Sequence, residues 1–402
     1  MKTLATVLVL VFGYAASAGA QTSANTSIAG TFASFRGADA AVAPRQDVAA
    51  TAAFEHRFNS EQGRVYYDLD GGTFDSSGDW SYYLHTGGFT YRFGGADAAD
   101  RRLYVNASAV LRKNGDAWAA ADYSAIGGGL NAEFHPRAGV TLRTGYRTDY
   151  RSFDDMSALT QFEQRGFASA HATLETRTTL ISEIQVGGKS YDGQVPLEPM
   201  VITAPVDITT LGPGQGRGMG PALRETTWLQ PQTQSQSGTA GLVSGLFRVA
   251  QSLSDRTGVH AQVFVRATFG AVPPGLVTTP AGFFDDGVYD DPYASDATAG
   301  QGGLTRAFGS GAQLEALVSY ANRRYTSTPA VDSDWNELPG SPLRHDHVWR
   351  GAVVWSQPIL AKRTGKADLM LDIAYRFMDS RSNDAFYSYT SHGVGLGLSI
   401  GY

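Results

Sequence analysis

The chain ends in Gly393-Val394-Gly395-Leu396-Gly397-Leu398-Ser399-Ile400-Gly401-Tyr402. Val394, Leu396, Leu398, Ile400 and Tyr402 alternate strictly with glycine or serine. A period of two places all five large residues on one face of a strand and the small ones on the other, an arrangement no helix can produce.

The same rhythm recurs upstream. Leu369, Leu371, Ile373, Tyr375 and Phe377 oppose Asp368, Asp372 and Arg376. Leu103, Val105, Ala107, Ala109 and Leu111 oppose Tyr104, Asn106, Ser108 and Arg112, and Val259, Ala261, Val263, Val265 and Phe269 oppose His260, Gln262 and Arg266. One face asks for hydrocarbon and the other for water.

A soluble sandwich would also alternate, so three further features decide the matter. The strands run about 10 to 17 residues against the usual 5 or 6, and a tilted membrane crossing needs about 9 to 11. Aromatic residues gather near segment ends: Tyr66, Tyr67, Trp80, Tyr82, Tyr83, Phe89, Tyr91, Phe93, Tyr146, Tyr150, Trp349, Trp355, Tyr375 and Phe377. Amphipathic rings there suit the headgroup level of a bilayer. Connections alternate short and long, as tight periplasmic turns and larger outer loops do.

These features predict an all-β, transmembrane, antiparallel up-and-down barrel of about sixteen strands, with fourteen as the alternative if 27-36 and 292-306 fail. The remaining strands are expected at 48-58, 64-74, 80-94, 102-112, 122-136, 139-150, 162-176, 178-191, 236-252, 257-269, 311-328, 344-358, 366-379 and 386-402. Tight turns are expected at Asn59 to Gly63, His135 to Gly139, around Arg177, Ser254 to Thr257 and Ala361 to Lys366. Long outer loops are expected near 192-235, 270-291 and 329-343. The first of these is rich in Pro, Gly and Thr, and is read as a mobile external loop or, alternatively, a constriction folded into the pore.

The N-terminus carries Lys2, an apolar run from Leu4 to Ala16 and the small residues Ala18-Gly19-Ala20. That order is a secretory signal, so 1-20 is expected to be removed and 21-402 to form one barrel domain. Hydrophobic residues make up 42% of the chain and charged ones 17%, and the formal net charge is -6. No basic stripe invites nucleic acid. The chain has no cysteine, which excludes disulfides, thiolate metal sites and a lipid anchor on cysteine. No cofactor and no metal site are expected.

The C-terminal stretch, with Val394, Leu396, Leu398 and Ile400 leading to Tyr402, resembles the targeting signal of outer-membrane barrels. The resemblance implies recognition by the barrel-assembly machinery and residence in the bacterial outer membrane among its lipid and lipopolysaccharide. The last third is similar to outer-membrane barrels that follow tetratricopeptide repeats, including polysaccharide-exporting porins. The matching features are Asp290-Asp291-Pro292-Tyr293, Arg344-His345-Asp346, and Ser382-Asn383 leading into Tyr387-Ser388-Tyr389.

Enzymatic readings fare poorly. An omptin-like protease needs paired aspartates and a His-Asp dyad at the rim. Asp154-Asp155, Asp285-Asp286, Asp290-Asp291 and His345-Asp346-His347 supply the residue types, but neighbours along a strand point to opposite faces. A phospholipase-like site fails on the same ground at Ser391 and His392. The acidic loop Asp285, Asp286, Asp290, Asp291 and Asp296 lacks the spacing of a twelve-residue calcium loop and is read as solvated.

Strand parity instead sends many charges inward. Pore-lining candidates are Asp68, Asp70, Arg92, Arg112, Arg143, Arg147, Arg266, Arg350, Asp368, Asp372 and Arg376, and the same parity holds for Glu55, Arg57, Asp149, Glu163, Arg165, Glu175, Glu183 and Lys189. On the lipid side a cation costs about 2 to 4 kcal/mol at midplane, so a wet interior is the tenable place for them. Sixteen strands leave room for an aqueous channel. The expectation is a passive pore for small hydrophilic solutes, not an enzyme. The alternative is a closed barrel acting as a surface scaffold or binding module. Mixed lumen charges leave weak ion selectivity and a salt-bridged wall both open.

Overall fold

The computed structural model describes residues 20–35, 45–59, 62–74, 81–93, 101–115, 119, 122–155, 160–191, 203–205, 225–227, 238–270, 291–333, 336–360 and 368–401. Residues 1-19, on which the expected signal falls, Trp80, Asp285, Asp286, Asp290, the bulk of 192-235 and 270-291, and the terminal Tyr402 lie outside the described residues.

The strands are β1 (Ala20–Phe35), β2 (Arg45–Asn59), β3 (Gly63–Phe74), β4 (Tyr82–Phe93), β5 (Arg101–Asn114), β6 (Tyr123–Arg137), β7 (Val140–Phe153), β8 (Gln161–Thr173) and β9 (Thr178–Tyr191). A short hairpin, β10 (Thr203–Pro205) with β11 (Glu225–Thr227), follows. Then come β12 (Thr239–Ser254), β13 (Thr257–Gly270), β14 (Ser295–Ala307), β15 (Gln313–Pro329), β16 (Leu343–Leu360), β17 (Asp368–Ser382) and β18 (Tyr389–Gly401).

Every strand except the hairpin pairs antiparallel with its sequence neighbour, and β9 pairs with β12 across the hairpin. The ring closes where β1 pairs with β18, from Ser23 opposite Gly401 to Phe35 opposite Tyr389. Sixteen strands therefore form the barrel among the described residues. The 292-306 segment begins its strand at Ser295, because Pro292–Ala294 forms a 3-10 turn capped by Asp291.

Alternation fixes the two faces. Ile373, Tyr375, Val394, Leu396 and Leu398 are exposed, as are Val263, Val265, Val318, Val353, Ile126, Leu130, Ile184 and Val186. These exposed apolar residues occupy one parity in each strand. Residues of the other parity point toward the barrel axis and carry most of the charged side chains. In cross-section Ile28, Leu396 and Ile373 stand side by side on the outer face. A continuous exposed apolar band of this kind matches a bilayer rather than water.

Outward aromatic residues flank that band. Phe58, Tyr67, Phe89, Tyr91, Phe93 and Phe134 lie toward the end with the tight turns, and Tyr83, Tyr150, Phe162 and Phe269 toward the end with the long loops. Tyr66 and Tyr82 correct the sequence-based expectation. They face inward, where the guanidinium groups of Arg64 and Arg112 lie 5.2 and 4.8 Å from their ring centres. Their parity with Arg64, Asp68 and Arg92 dictates this.

Outward tyrosines satisfy their hydroxyls in a repeated diagonal. Tyr67 Oη meets His85 Nδ1 at 2.6 Å, Tyr320 Oη meets His347 Nδ1 at 2.7 Å and Tyr375 Oη meets His392 Nδ1 at 2.9 Å. Tyr146 donates to Gln164 in the same way. In each case the partner sits two residues outward from the position directly opposite the tyrosine. A hydroxyl facing hydrocarbon needs such a partner, because water is absent there.

The turns at His135 to Gly139, around Arg177 and at Ser254 to Thr257 fall where expected, Asn59 and Gly63 bound β2 and β3, and Ala361 to Lys366 lies outside the described residues. Gly139 takes φ 76° between β6 and β7, and Arg177 takes φ 62° between β8 and β9. Glu175 lies in that second turn and not on the strand wall, which removes it from the inward-facing set.

Candidate functional site: the inner wall and its outer mouth

Asp68 and Asp70 on β3, Arg92 on β4, Arg112 on β5, Arg143 and Arg147 on β7, Arg266 on β13, Arg350 on β16, and Asp372 and Arg376 on β17 all lie on the inward parity, opposite the exposed apolar residues. Asp368 opens β17 opposite Gly401, and its side chain lies outside the described residues. These positions are distributed around the ring and form no single cluster.

Charge is managed strand by strand. A carboxylate two residues from an arginine projects from the same face, and the structure uses that spacing repeatedly. Arg57 pairs with Glu55 and Arg165 with Glu163. Arg147 Nη2 reaches Asp149 at 3.3 Å, and Arg344 Nη2 reaches Asp346 at 2.5 Å. Cross-strand, Glu133 accepts from Arg143 Nε at 2.8 Å. Ser356 donates to Asp372 at 2.5 Å. The buried Nε atoms of Arg151, Arg248 and Arg350 have no hydrogen-bond partner. One carboxylate oxygen, Asp68 Oδ1, is buried without a hydrogen bond as well, so the pairing is incomplete on both sides, with more arginine than carboxylate atoms left over among the described residues.

At the outer mouth the segment before β14 folds onto the inner wall. Lys189 and Tyr191, both inward on β9, converge on Asp291: Lys189 Nζ donates at 2.6 Å and Tyr191 Oη donates to the same oxygen. Tyr293 Oη donates to Glu163 Oε1 at 3.2 Å, and its ring covers Leu242 and Ala240 of β12. Arg266 holds the following residue, donating to Ser295 O at 2.9 Å and Oγ at 2.8 Å. Gly187 makes this possible, since a Cβ there would strike the Tyr293 hydroxyl. Lys189, Tyr191, Asp291 and Tyr293 are all buried. Burial and the neighbouring Glu163 push the Tyr293 phenol well above its ordinary value, against the opposing pull of Arg165.

A second inward fold lies above β15 to β17. Arg344 is buried with its guanidinium 4.2 Å from the Tyr325 ring centre and against Tyr387. Val331 N donates to Asp384 at 3.2 Å, and Ala385 N donates to Val331 O at 3.0 Å, tying the two outer loops together. Burial raises the Tyr387 phenol, with Arg344 opposing and Tyr325 and Asp384 adding to the rise.

The enzyme candidates separate. Asp346 faces inward on Arg344, whereas His345 and His347 face outward and touch each other. Ser391 faces inward opposite Met378, and His392 faces outward against Tyr375. Among the described residues no cluster of three metal-ligating side chains occurs.

No family model and no curated protein matches the sequence. Solved structures match the fold. OccAB1 of Acinetobacter baumannii superposes with a TM-score of 0.50 at 10% identity, covering 96% of this chain and 97% of that one. OccK9 (OpdG) of Pseudomonas aeruginosa gives 0.49 at 11% identity, over 95% and 98%. OccK2 (OpdF) of the same organism, solved in complex with glucuronate, gives 0.48 at 11% identity, over 96% and 99%. The likeness is one of fold: an all-β, antiparallel, porin-like barrel.

Proposed function

We propose that the protein is a passive channel of the bacterial outer membrane for small hydrophilic solutes, with a preference for anions. The observation that carries the reading is the inner wall: a ring of strands, apolar outside, lined inside by arginines of which Arg151, Arg248 and Arg350 keep buried nitrogens without a hydrogen bond. Fixed guanidinium groups along a water-filled path set ion preference and offer paired donors to carboxylate or phosphate groups. The segment from Asp291 to Ser295 narrows the outer mouth. No step of bond chemistry is assigned to any residue.

Planar-bilayer recording of the purified full chain tests this. A salt gradient should give a reversal potential on the anion side, and liposomes should swell in graded small sugars. Silent bilayers together with no swelling would remove the channel reading.

The inward folds at Tyr293 and Tyr387 favour one rival, a barrel shut at its mouth that serves as a surface scaffold. Loop deletions would then abolish partner binding while bilayers stay silent. A polymer-exporting pore is the narrower form of the first reading and rests only on the motifs at Asp290 to Tyr293, Arg344 to Asp346 and Tyr387 to Tyr389. Assembly through the terminal signal, and lipopolysaccharide as a neighbour, belong to the same proposal.

A further inference from the structure

The outer face changes character over the top of β15, β16 and β17. In register, Val318, Gly351 and Phe377 form an outward row, and Tyr320, Trp349 and Asp379 form the next one up. Above them His347 stands between Asn322 and Arg381, and Arg324 stands opposite His345. All share the face of the exposed Val318, Trp349, Val353 and Tyr375.

The two arginines here are exposed, and the two histidines are half-buried and held in place. Arg324 is exposed and the Arg381 side chain is 68% exposed. The His345 and His347 rings meet with centres 4.4 Å apart. Each is anchored through one nitrogen, His347 by Tyr320 Oη at 2.7 Å and His345 by Asn322 Oδ1 at 2.8 Å. Asp379 is the single carboxylate of the patch among the described residues, 3.2 Å from Arg381 Nε. Two guanidinium groups and two imidazoles therefore face one carboxylate.

We propose that this patch binds a phosphate group on the headgroup of an outer-leaflet lipid. The inference rests on the membrane placement given above. Guanidinium groups match phosphate oxygens in pairs of hydrogen bonds. Immediately below, Tyr320 and Trp349 pack with ring centres 4.9 Å apart, a shelf at headgroup level, and Val318, Val353 and Phe377 continue as hydrocarbon-facing surface. A free phosphate ion would use only the upper half of this surface, whereas an anionic lipid matches both halves.

The test uses the full chain in zwitterionic detergent, titrated by native mass spectrometry with bisphosphorylated lipid A, its dephosphorylated form and inorganic phosphate. The phosphorylated lipid should bind at least tenfold more tightly than the dephosphorylated one. Losing two surface arginines should weaken it roughly thirtyfold, at about 1 kcal/mol each. The double substitution Arg324→Gln with Arg381→Gln should do this while channel conductance and heat-modifiable gel mobility stay unchanged. His345→Gln, a milder variant, should weaken binding less. Equal affinity for both lipids, or indifference to the double substitution, overturns the proposal. Competition by inorganic phosphate as effective as that by the lipid overturns it in favour of a free-anion site. Conductance is read separately, so a silent channel with intact lipid selectivity condemns the pore and spares the patch.

Discussion

Lys189 Nζ lies 2.6 Å from a carboxylate oxygen of Asp291, a residue 102 positions later in the chain, and both are buried. The pair fastens the segment before β14 to β9, on the far side of β12 and β13 in the ring.

Asp291→Asn should release that segment. An uncompensated buried ammonium is left behind, a loss of about 3 to 5 kcal/mol for a broken buried pair. The expected outcome is a lower midpoint in urea unfolding and a larger, noisier single-channel conductance. An unchanged conductance would mean that the segment does not narrow the path.

Gly187→Val approaches the same contact without touching charge. The new side chain occupies the space of the Tyr293 hydroxyl. Displacement of Tyr293 should widen the mouth while Lys189 and Asp291 remain, so conductance should rise with a smaller stability loss than in Asp291→Asn. Agreement between the two variants would separate steric gating from electrostatics.

The anion preference should reside in the arginines left without a full set of partners. Substituting Arg151, Arg248 and Arg350 together with Gln should move the reversal potential toward the cation side, because rings of charge set ion preference. Arg381→Gln, on the outer face, should leave it where it was. A triple variant as anion-preferring as the parent protein would locate selectivity elsewhere.

Tyr293 and Tyr387 should titrate late. Both phenols are raised above 10.0 by burial, so each stabilises the folded mouth fully below about pH 10 and loses that contribution as the pH climbs through its folded value. In an alkaline titration followed by phenolate absorbance, Tyr293→Phe and Tyr387→Phe should each remove amplitude only from the last phase. Amplitude lost from the first phase would show these rings to be solvated.

The outer face offers a depth-dependent check. Leu396→Arg should cost about 2 to 4 kcal/mol in reversible folding into vesicles if that position faces mid-bilayer. Ala374→Arg, inward between Asp372 and Arg376, should cost less. Equal penalties would contradict the assignment of faces.

Much of this was readable in the residues. The alternation of Val394 to Ile400 against glycine and serine placed β18, and the same rhythm placed β17 opposite it. Even the doubtful strands at the two weakest positions formed, β1 because both neighbours offer complete ladders and β14 because Ser295 onward continues the pleat. Parity puts the charges on the face opposite the exposed apolar residues wherever a strand carries them, and it misplaces Glu175, where the chain is already turning. Tyr66 and Tyr82 were assigned by ring type when their charged neighbours of equal parity were the better guide. The latch at Asp291 was not legible, since nothing local links it to Lys189. Its motif was visible beside Pro292 and Tyr293, but the partner is fixed only once β9, β12 and β13 are side by side. The 192-235 stretch, read as a mobile external loop or, alternatively, a constriction, lies outside the described residues except for the β10–β11 hairpin, and the inward segment that the structure does define follows the next long loop.

The ladder between β1 and β18 joins the two strands farthest apart in sequence. Until the last of them is made, a nascent sheet presents two raw edges, each a row of unanswered amides and carbonyls that invites pairing with any passing chain. One seam thus guards two edges at once: weakening the contacts of β1 with β18 uncovers both rows of backbone groups together, a vulnerability no other ladder of the ring concentrates between the ends of the chain.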